Sequence, residues 1–173
     1  MFELRDANFS DYVTIAKLHS ENWQQNYRGI FSDNFLDNEV EQERSKVWYK
    51  RLNMPIKNQQ VTVATLHKKI VGFSCLYLND DPGFGSYLDN LHVSRNQQKS
   101  GIGKLLLQEC ARCVINKGDN MKMFLWVYES NANARKVYER LGAVNFETIE
   151  KETDGTIKAK VCRYVWRDIS VLL

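Results

Sequence analysis

The chain predicts an α/β fold, a mixed sheet with helices on both faces, and three observations lead there. Strand-like alternation and helix-like periodicity follow one another in the order β-α-α-β-β-β-α-β-α-β-β, which favours a sheet covered by helices. A glycine turn, Gln98–Gly103, joins an extended run to a helical one. The 173 residues are 43% hydrophobic and 26% charged, an ordinary composition for a single domain, residues 1–173, with a sizeable core.

Each element has a local reason. Glu3–Asn8 reads as a first strand. Ser10 can cap a helix running to about Tyr27, with Ile15, Leu18 and Trp23 on one face. A second helix spans Asn38–Leu52, with Val40, Val47 and Trp48 apolar. Val61–Leu66 and Ile70–Leu78 form a hairpin around His67–Lys69, and Asp80–Gly85 is a loop. A strand Tyr87–Val93, the glycine turn, a helix Lys104–Asn116, a strand Met121–Tyr128 and a helix Asn131–Leu141 come next. Phe146–Glu152 and Ile157–Trp166 close the chain as a hairpin with Asp154–Gly155 at its turn.

The glycine turn carries the chemistry. Two glycines where a strand becomes a helix let backbone N–H groups converge, and the helix end adds partial positive charge, so the turn suits a phosphate or pyrophosphate. A Walker A loop fails, because Gln98 stands where its first glycine belongs and Leu105 follows Lys104. The dinucleotide fingerprint needs a glycine at Leu106, and the turn lies too late in the chain.

Other chemistries find less support. Cys110 and Cys113 lie inside an apolar helical run without a second pair, and Cys75 and Cys162 are isolated, so reduced core cysteines are expected. His19, His67 and His92 match no metal-ligand spacing, and no metal is expected. There is no G-x-S-x-G elbow. A net charge of +3, with no cluster of five or more Lys and Arg, is too mild to argue for nucleic acid, which is not expected as a partner. The charged N-terminus and the lack of a long apolar run point to a cytoplasmic protein without a membrane partner.

Gln98-x-x-Gly101-x-Gly103, after a strand and before a helix, resembles motif A of the GNAT superfamily of acyl-CoA N-acyltransferases. Asn131-x-x-Ala134-x-x-x-Tyr138 followed by Glu139–Ala143 resembles its motif B, in the expected order and separation. The resemblance covers almost the whole chain. It implies the GNAT fold, with a mostly antiparallel sheet of six to seven strands, and acetyl-CoA as co-substrate.

By that resemblance, acetyl-CoA lies where the strands Tyr87–Val93 and Met121–Tyr128 splay apart. Backbone groups of Leu91, His92 and Val93 pair with the pantetheine arm, one of their N–H groups serving as oxyanion donor. Gln98, Lys99, Ser100, Gly101, Ile102, Gly103 and Lys104 hold the pyrophosphate. Asn131 and Ala134 share a helix face with Tyr138, the expected acid for the departing thiolate. The family often carries Glu or His on the strand before the turn. Tyr87 stands there instead, and Asp89, two residues on, is the candidate base, or else the group that binds a cationic acceptor. His92 points the other way by alternation and ranks below it, with Glu129 as a third candidate.

Trp23, Tyr27, Tyr87 and Asp89 are the candidate acceptor-binding residues. The expected activity is transfer of acetyl to a primary amine of a small molecule by direct attack in a ternary complex. A protein N-terminus, a lysine or an aminoacyl-tRNA is the alternative acceptor. A non-catalytic acyl-CoA-binding module is the alternative class, and a homodimer is left open.

Overall fold

The structure is a computed structural model that describes residues 2–153 and 157–173. The predicted turn residues Asp154–Gly155 lie outside them. Seven strands form one sheet in the order β1-β2-β3-β4-β5-β7-β6. They are β1 (Phe2–Asp6), β2 (Gln59–Leu66), β3 (Lys69–Asp81), β4 (Gly85–Val93), β5 (Met123–Tyr128), β6 (Val144–Thr153) and β7 (Ile157–Trp166). The helices are α1 (Tyr12–Asn26), α2 (Val40–Asn53), α3 (Ile102–Lys117) and α4 (Ala132–Arg140). β1 with β2, β5 with β7, and β6 with β7 are antiparallel, whereas β4 with β5 is parallel. The predicted element order and mixed sheet are therefore as observed. Among the described residues, no helix is long and apolar enough to cross a membrane.

Several boundaries differ from the prediction for identifiable reasons. The cap before α1 is Asn8 rather than Ser10: its Oδ1 accepts from Ser10 N–H at 3.0 Å, and Asp11 answers from Asn8 N–H at 2.9 Å. That capping box closes a short 3₁₀ turn, Phe9–Asp11, so α1 itself starts at Tyr12, one residue later than a cap at Ser10 would give. α2 is preceded by a π-turn, Phe35–Glu39, which has no sequence signature. The loop at Asp80–Gly85 is shorter than expected. Asp81 Oδ1 accepts from Gly83 N–H at 2.7 Å and Phe84 N–H at 2.9 Å, closing a tight turn that lets β3 and β4 run almost to it.

The chain packs as two compact units, one of residues up to Cys75 with Asn90–Leu106, the other of Leu76–Asp89 with Leu107–Leu173. In the first, α1 buries Ile15, Leu18, His19 and Asn22, the i, i+3, i+4, i+7 stripe of an amphipathic helix. Trp48 of α2 and Phe73 of β3 are fully buried and their rings meet edge-on, centroids 5.0 Å apart. Elsewhere in this unit, Ile102 and Leu106 of α3 close a small core with Ala64, against which Leu91 and Val93 pack. Gly72 permits that approach, because a Cβ there would lie 3.1 Å from Ile102 Cγ2 and 3.0 Å from the His92 carbonyl.

In the second unit, Met123, Leu125, Cys162, Tyr164 and Trp166 are buried on β5 and β7. The end of α4 is closed in a defined way. Ala143 N–H donates to Tyr138 C=O and Gly142 N–H to Glu139 C=O, both at 3.0 Å, the Schellman arrangement that needs a left-handed residue. Gly142 supplies it at φ +89°. Trp166 Nε1–H donates to Leu141 C=O at 2.9 Å, tying that end to β7. The Glu139–Ala143 run thus has a structural task of its own.

Candidate functional site

In the first unit the glycine turn is built by a short 3₁₀ segment, Arg95–Gln97, after β4. Ser94 N–H donates to Val71 C=O at 2.8 Å and fixes the exit of the strand. Lys99 (φ +64°) and Gly101 (φ +90°) are both left-handed, and Ser100 Oγ donates to Gln97 C=O at 2.5 Å. The first bond into α3 runs from Leu105 N–H to Gly101 C=O at 3.0 Å. The N–H groups of Ile102, Gly103 and Lys104 precede any helical partner and carry the positive end of the helix dipole. Ile102 is buried, which anchors this end of the helix.

The two glycines differ. A Cβ on Gly101 would have no protein atom within 4 Å, but the backbone itself is one that side chains rarely adopt. A Cβ on Gly103 would meet Val93 Cγ2 at an unstrained 3.9 Å. The protein alone does not require glycine at position 103, whereas a ligand lying against the helix end would. This cradle fits a pyrophosphate.

Leu91 and Val93 turn their side chains to the Ile102–Leu106 core. His92 lies against His19 and Phe73, ring centroids 4.6 and 5.3 Å away. Val93 C=O is approached by Asn22 Nδ2 at 3.4 Å. Trp23 and Tyr27 are half-buried and in contact, centroids 5.4 Å apart. Trp23 also stacks on Phe31 at 4.9 Å and meets His19 at 5.3 Å. The Arg44 guanidinium sits 4.4 Å from the Trp23 ring centroid and is held by Glu43.

The second unit carries the other candidates. Tyr87 stacks between Tyr77 (6.4 Å) and Phe124 (5.0 Å). Asp89 belongs to a group of carboxylates with Asp80 and Asp81, where burial, then Asp81 and Asp89, raises the Asp80 pKa. Asn131 is the N-cap of α4, its Oδ1 accepting from Ala134 N–H at 3.2 Å. Tyr138 is half-buried beside Tyr164 (6.2 Å) and Trp166 (6.0 Å), and burial pushes its phenol up to about 12. The shift favours the protonated phenol, which keeps a hydrogen to donate. Behind it, Tyr164 donates to Glu139 and accepts from Arg135 Nε at 3.2 Å.

Sequence reading missed His19. Nothing local marks it beyond its place in the α1 stripe, and its partners lie in α2, β3 and β4. Trp48 Nε1–H donates to His19 Nδ1 at 2.9 Å in a fully buried contact. Burial first, then His92, Arg44 and Arg51, holds the His19 pKa well below its ordinary value. Burial first, then Arg44, lowers His92 to about 4.

These shifts set a pH dependence of stability. Between pH 6.5 and about 4 the unfolded chain binds more protons at His92 than the folded one, so stability is whole above that window and falls as pH drops through it. The loss from His92 alone should be about 2–3 kcal/mol by pH 4. Urea midpoints at pH 7 and 4.5 for wild type and His92→Gln measure it. The variant should show a distinctly smaller drop, and equal drops would refute the shift.

Among the described residues, no three His, Cys, Asp or Glu side chains are grouped as a metal would require.

Comparison with known proteins bears on what the cradle serves. The sequence model of the acetyltransferase (GNAT) family matches residues 15–143. A protein of Bacillus subtilis named uncharacterized N-acetyltransferase YuaI is 26% identical, over 99% of this chain and 96% of its own. A spermidine N(1)-acetyltransferase of Thermoplasma acidophilum is 24% identical over 89% of this chain and 92% of its own. In three dimensions the chain resembles the PaiA N-acetyltransferase of Thermoplasma acidophilum, solved in complex with coenzyme A. The TM-score is 0.73 at 20% identity, covering 96% of this chain and 99% of that one.

Proposed function

Because the chain belongs to the acetyltransferase (GNAT) family, we propose that it transfers acetyl from acetyl-CoA to a primary amine of a small molecule, by direct attack in a ternary complex. The observation that carries this reading is the glycine cradle. A left-handed Lys99 and Gly101 lead into a helix whose first N–H groups are free for a pyrophosphate, and Gly103 leaves the helix end open to it. The complex of a structurally similar acetyltransferase with coenzyme A supports the same donor. The four cysteines are thiols and not disulfides, which accords with a cytoplasmic setting.

In the first unit, Gln98–Lys104 bind the pyrophosphate and the backbone of Leu91–Val93 pairs with the pantetheine arm, while Trp23 and Tyr27 face the acceptor. In the second, Asn131 and Ala134 present Tyr138 as hydrogen-bond donor to the departing thiolate. Tyr87 and Asp89 serve the acceptor. Asp89 takes the amine proton through a water or holds the acceptor's positive charge, a task that suits its carboxylate neighbours Asp80 and Asp81. A similar protein named for spermidine supports an amine acceptor.

Calorimetry with acetyl-CoA, followed by free-thiol release across monoamines, polyamines, amino acids and peptides, tests the reading. Binding with turnover on a small amine is expected. Binding with no turnover on any acceptor would make the protein an acyl-CoA-binding module, and turnover on peptides alone would move the acceptor to a protein.

A further inference from the structure

His19 and His92 form a pair that the reading above leaves unused. His19 has none of its surface exposed. Indole N–H is a donor only, so the Trp48 bond forces the lone pair onto His19 Nδ1 and the ring proton onto Nε2. Protonating Nδ1 would set two donors against each other, which locks the ring neutral. Its Nε2 is buried, and among the described residues no atom pairs with it. Leaving a buried donor unmet costs stability that packing alone would not select.

His92 is the less deeply buried member. It lies 4.6 Å from the His19 ring at a 34° tilt, with Phe73 behind both rings at 5.8 and 5.3 Å. The titratable or charged groups facing the pair are Arg44 and Arg51 from α2. Among the described residues, β3 contributes the uncharged Phe73, and α1 sets the uncharged Trp23 beside His19. Two adjacent imidazoles cannot both carry a proton cheaply. With His19 locked, any transient charge falls on His92.

We propose that His92 accepts the proton of the attacking amine nitrogen, and that His19, pinned by Trp48, is the positioning residue that orients His92. The assignment rests on the acetyl-transfer reading. As the amine nitrogen bonds to the thioester carbon, its surplus proton passes to the free ring nitrogen of His92. The carbon–sulfur bond breaks, and the sulfur leaves as a thiolate. The imidazolium then gives its proton through solvent to the thiolate, so the net products are the acetamide and coenzyme A thiol.

With its pKa lowered to about 4, His92 cannot deprotonate a free ammonium. It can deprotonate the adduct, whose nitrogen becomes far more acidic as it turns into an amide. The amine must therefore arrive unprotonated. Asp89 is left the second of its two roles, holding the acceptor's charge.

Two measurements test this on the full chain. Two-bond proton–nitrogen NMR of the wild type should show His19 as the Nε2–H tautomer from pH 5 to 8, and a protonated or Nδ1–H ring would overturn the lock. On an amine that the wild type acetylates, His92→Gln should lower kcat on the order of 10²-fold, with KM for acetyl-CoA within about twofold. His19→Gln, whose amide oxygen can still accept from Trp48, should retain kcat within about fivefold, while His19→Leu should lose on the order of tenfold. His92→Gln with kcat near wild type would overturn the assignment. Should the wild type release thiol with no amine at all, the acetyl-transfer reading itself fails, and the histidine assignment with it.

Discussion

Gly103→Asp should fold at least as stably as the wild type and bind acetyl-CoA on the order of 10²–10³-fold more weakly. Both halves follow from one geometry. A Cβ at position 103 meets Val93 Cγ2 at 3.9 Å and nothing closer, so the protein accommodates a side chain there without strain. Aspartate is also a better helix residue than glycine. In the first turn of α3 it complements the dipole by about 0.3–1 kcal/mol. The same carboxylate stands where a pyrophosphate would seat, and two like charges about 4 Å apart at an effective dielectric near 20 repel by roughly 4 kcal/mol. Thermal denaturation and calorimetry with acetyl-CoA read the two effects separately. Gly101→Ala is the wrong probe, because φ +90° would strain any side chain whether or not a ligand binds. If Gly103→Asp binds acetyl-CoA as well as the wild type, the turn is not a pyrophosphate cradle.

What the sequence showed and what it hid divide along physical lines. The Gln98–Gly103 turn was legible because its requirement is local: glycines between a strand and a helix mean backbone N–H groups gathered at one point. β7, Ile157–Trp166, was read to the residue, because a run rich in β-branched and aromatic residues after a turn signal is a local cue. Asn8 was passed over as the cap of the 3₁₀ turn that leads into α1 because Ser10 is an equally good capping residue, and only the reciprocal bond from Asp11 decides between them. The π-turn at Phe35–Glu39 had no signal at all. His19 and His92 illustrate the larger limit. Their adjacency depends on α1 lying over β3 and β4, and no spacing rule joins residues so far apart in the chain. Alternation along β4 ranked His92 below Asp89, yet it could not show that His92 faces a second histidine held by a tryptophan. Gly142 runs the other way. It read as part of a functional motif, whereas its φ of +89° and the two bonds that close α4 give it a structural reason to be glycine.

Tyr138→Phe should lower kcat by on the order of 10²–10³-fold and leave the acetyl-CoA dissociation constant within about twofold. The variant keeps the ring contacts with Tyr164 and Trp166, at 6.2 and 6.0 Å, so the end of α4 and its tie to β7 stay in place. Only the hydroxyl is lost. At about 12, the Tyr138 phenol is a much weaker acid than a thiol near 8.5, so full transfer of its proton to a free thiolate is uphill. Its contribution is a hydrogen bond that strengthens as charge builds on sulfur, which is why the loss belongs in kcat and not in ground-state binding. The raised pKa has a second consequence. Tyr138 stays protonated well past pH 10, so wild-type kcat should show no alkaline decline from this group up to pH 10, whereas an unshifted phenol near 10 would begin to remove activity there. Single-turnover thiol release by wild type and Tyr138→Phe between pH 6 and 10 decides the matter. A variant that releases thiol at the wild-type rate would remove Tyr138 from the reaction, and a tenfold weaker acetyl-CoA affinity would reassign it to donor binding.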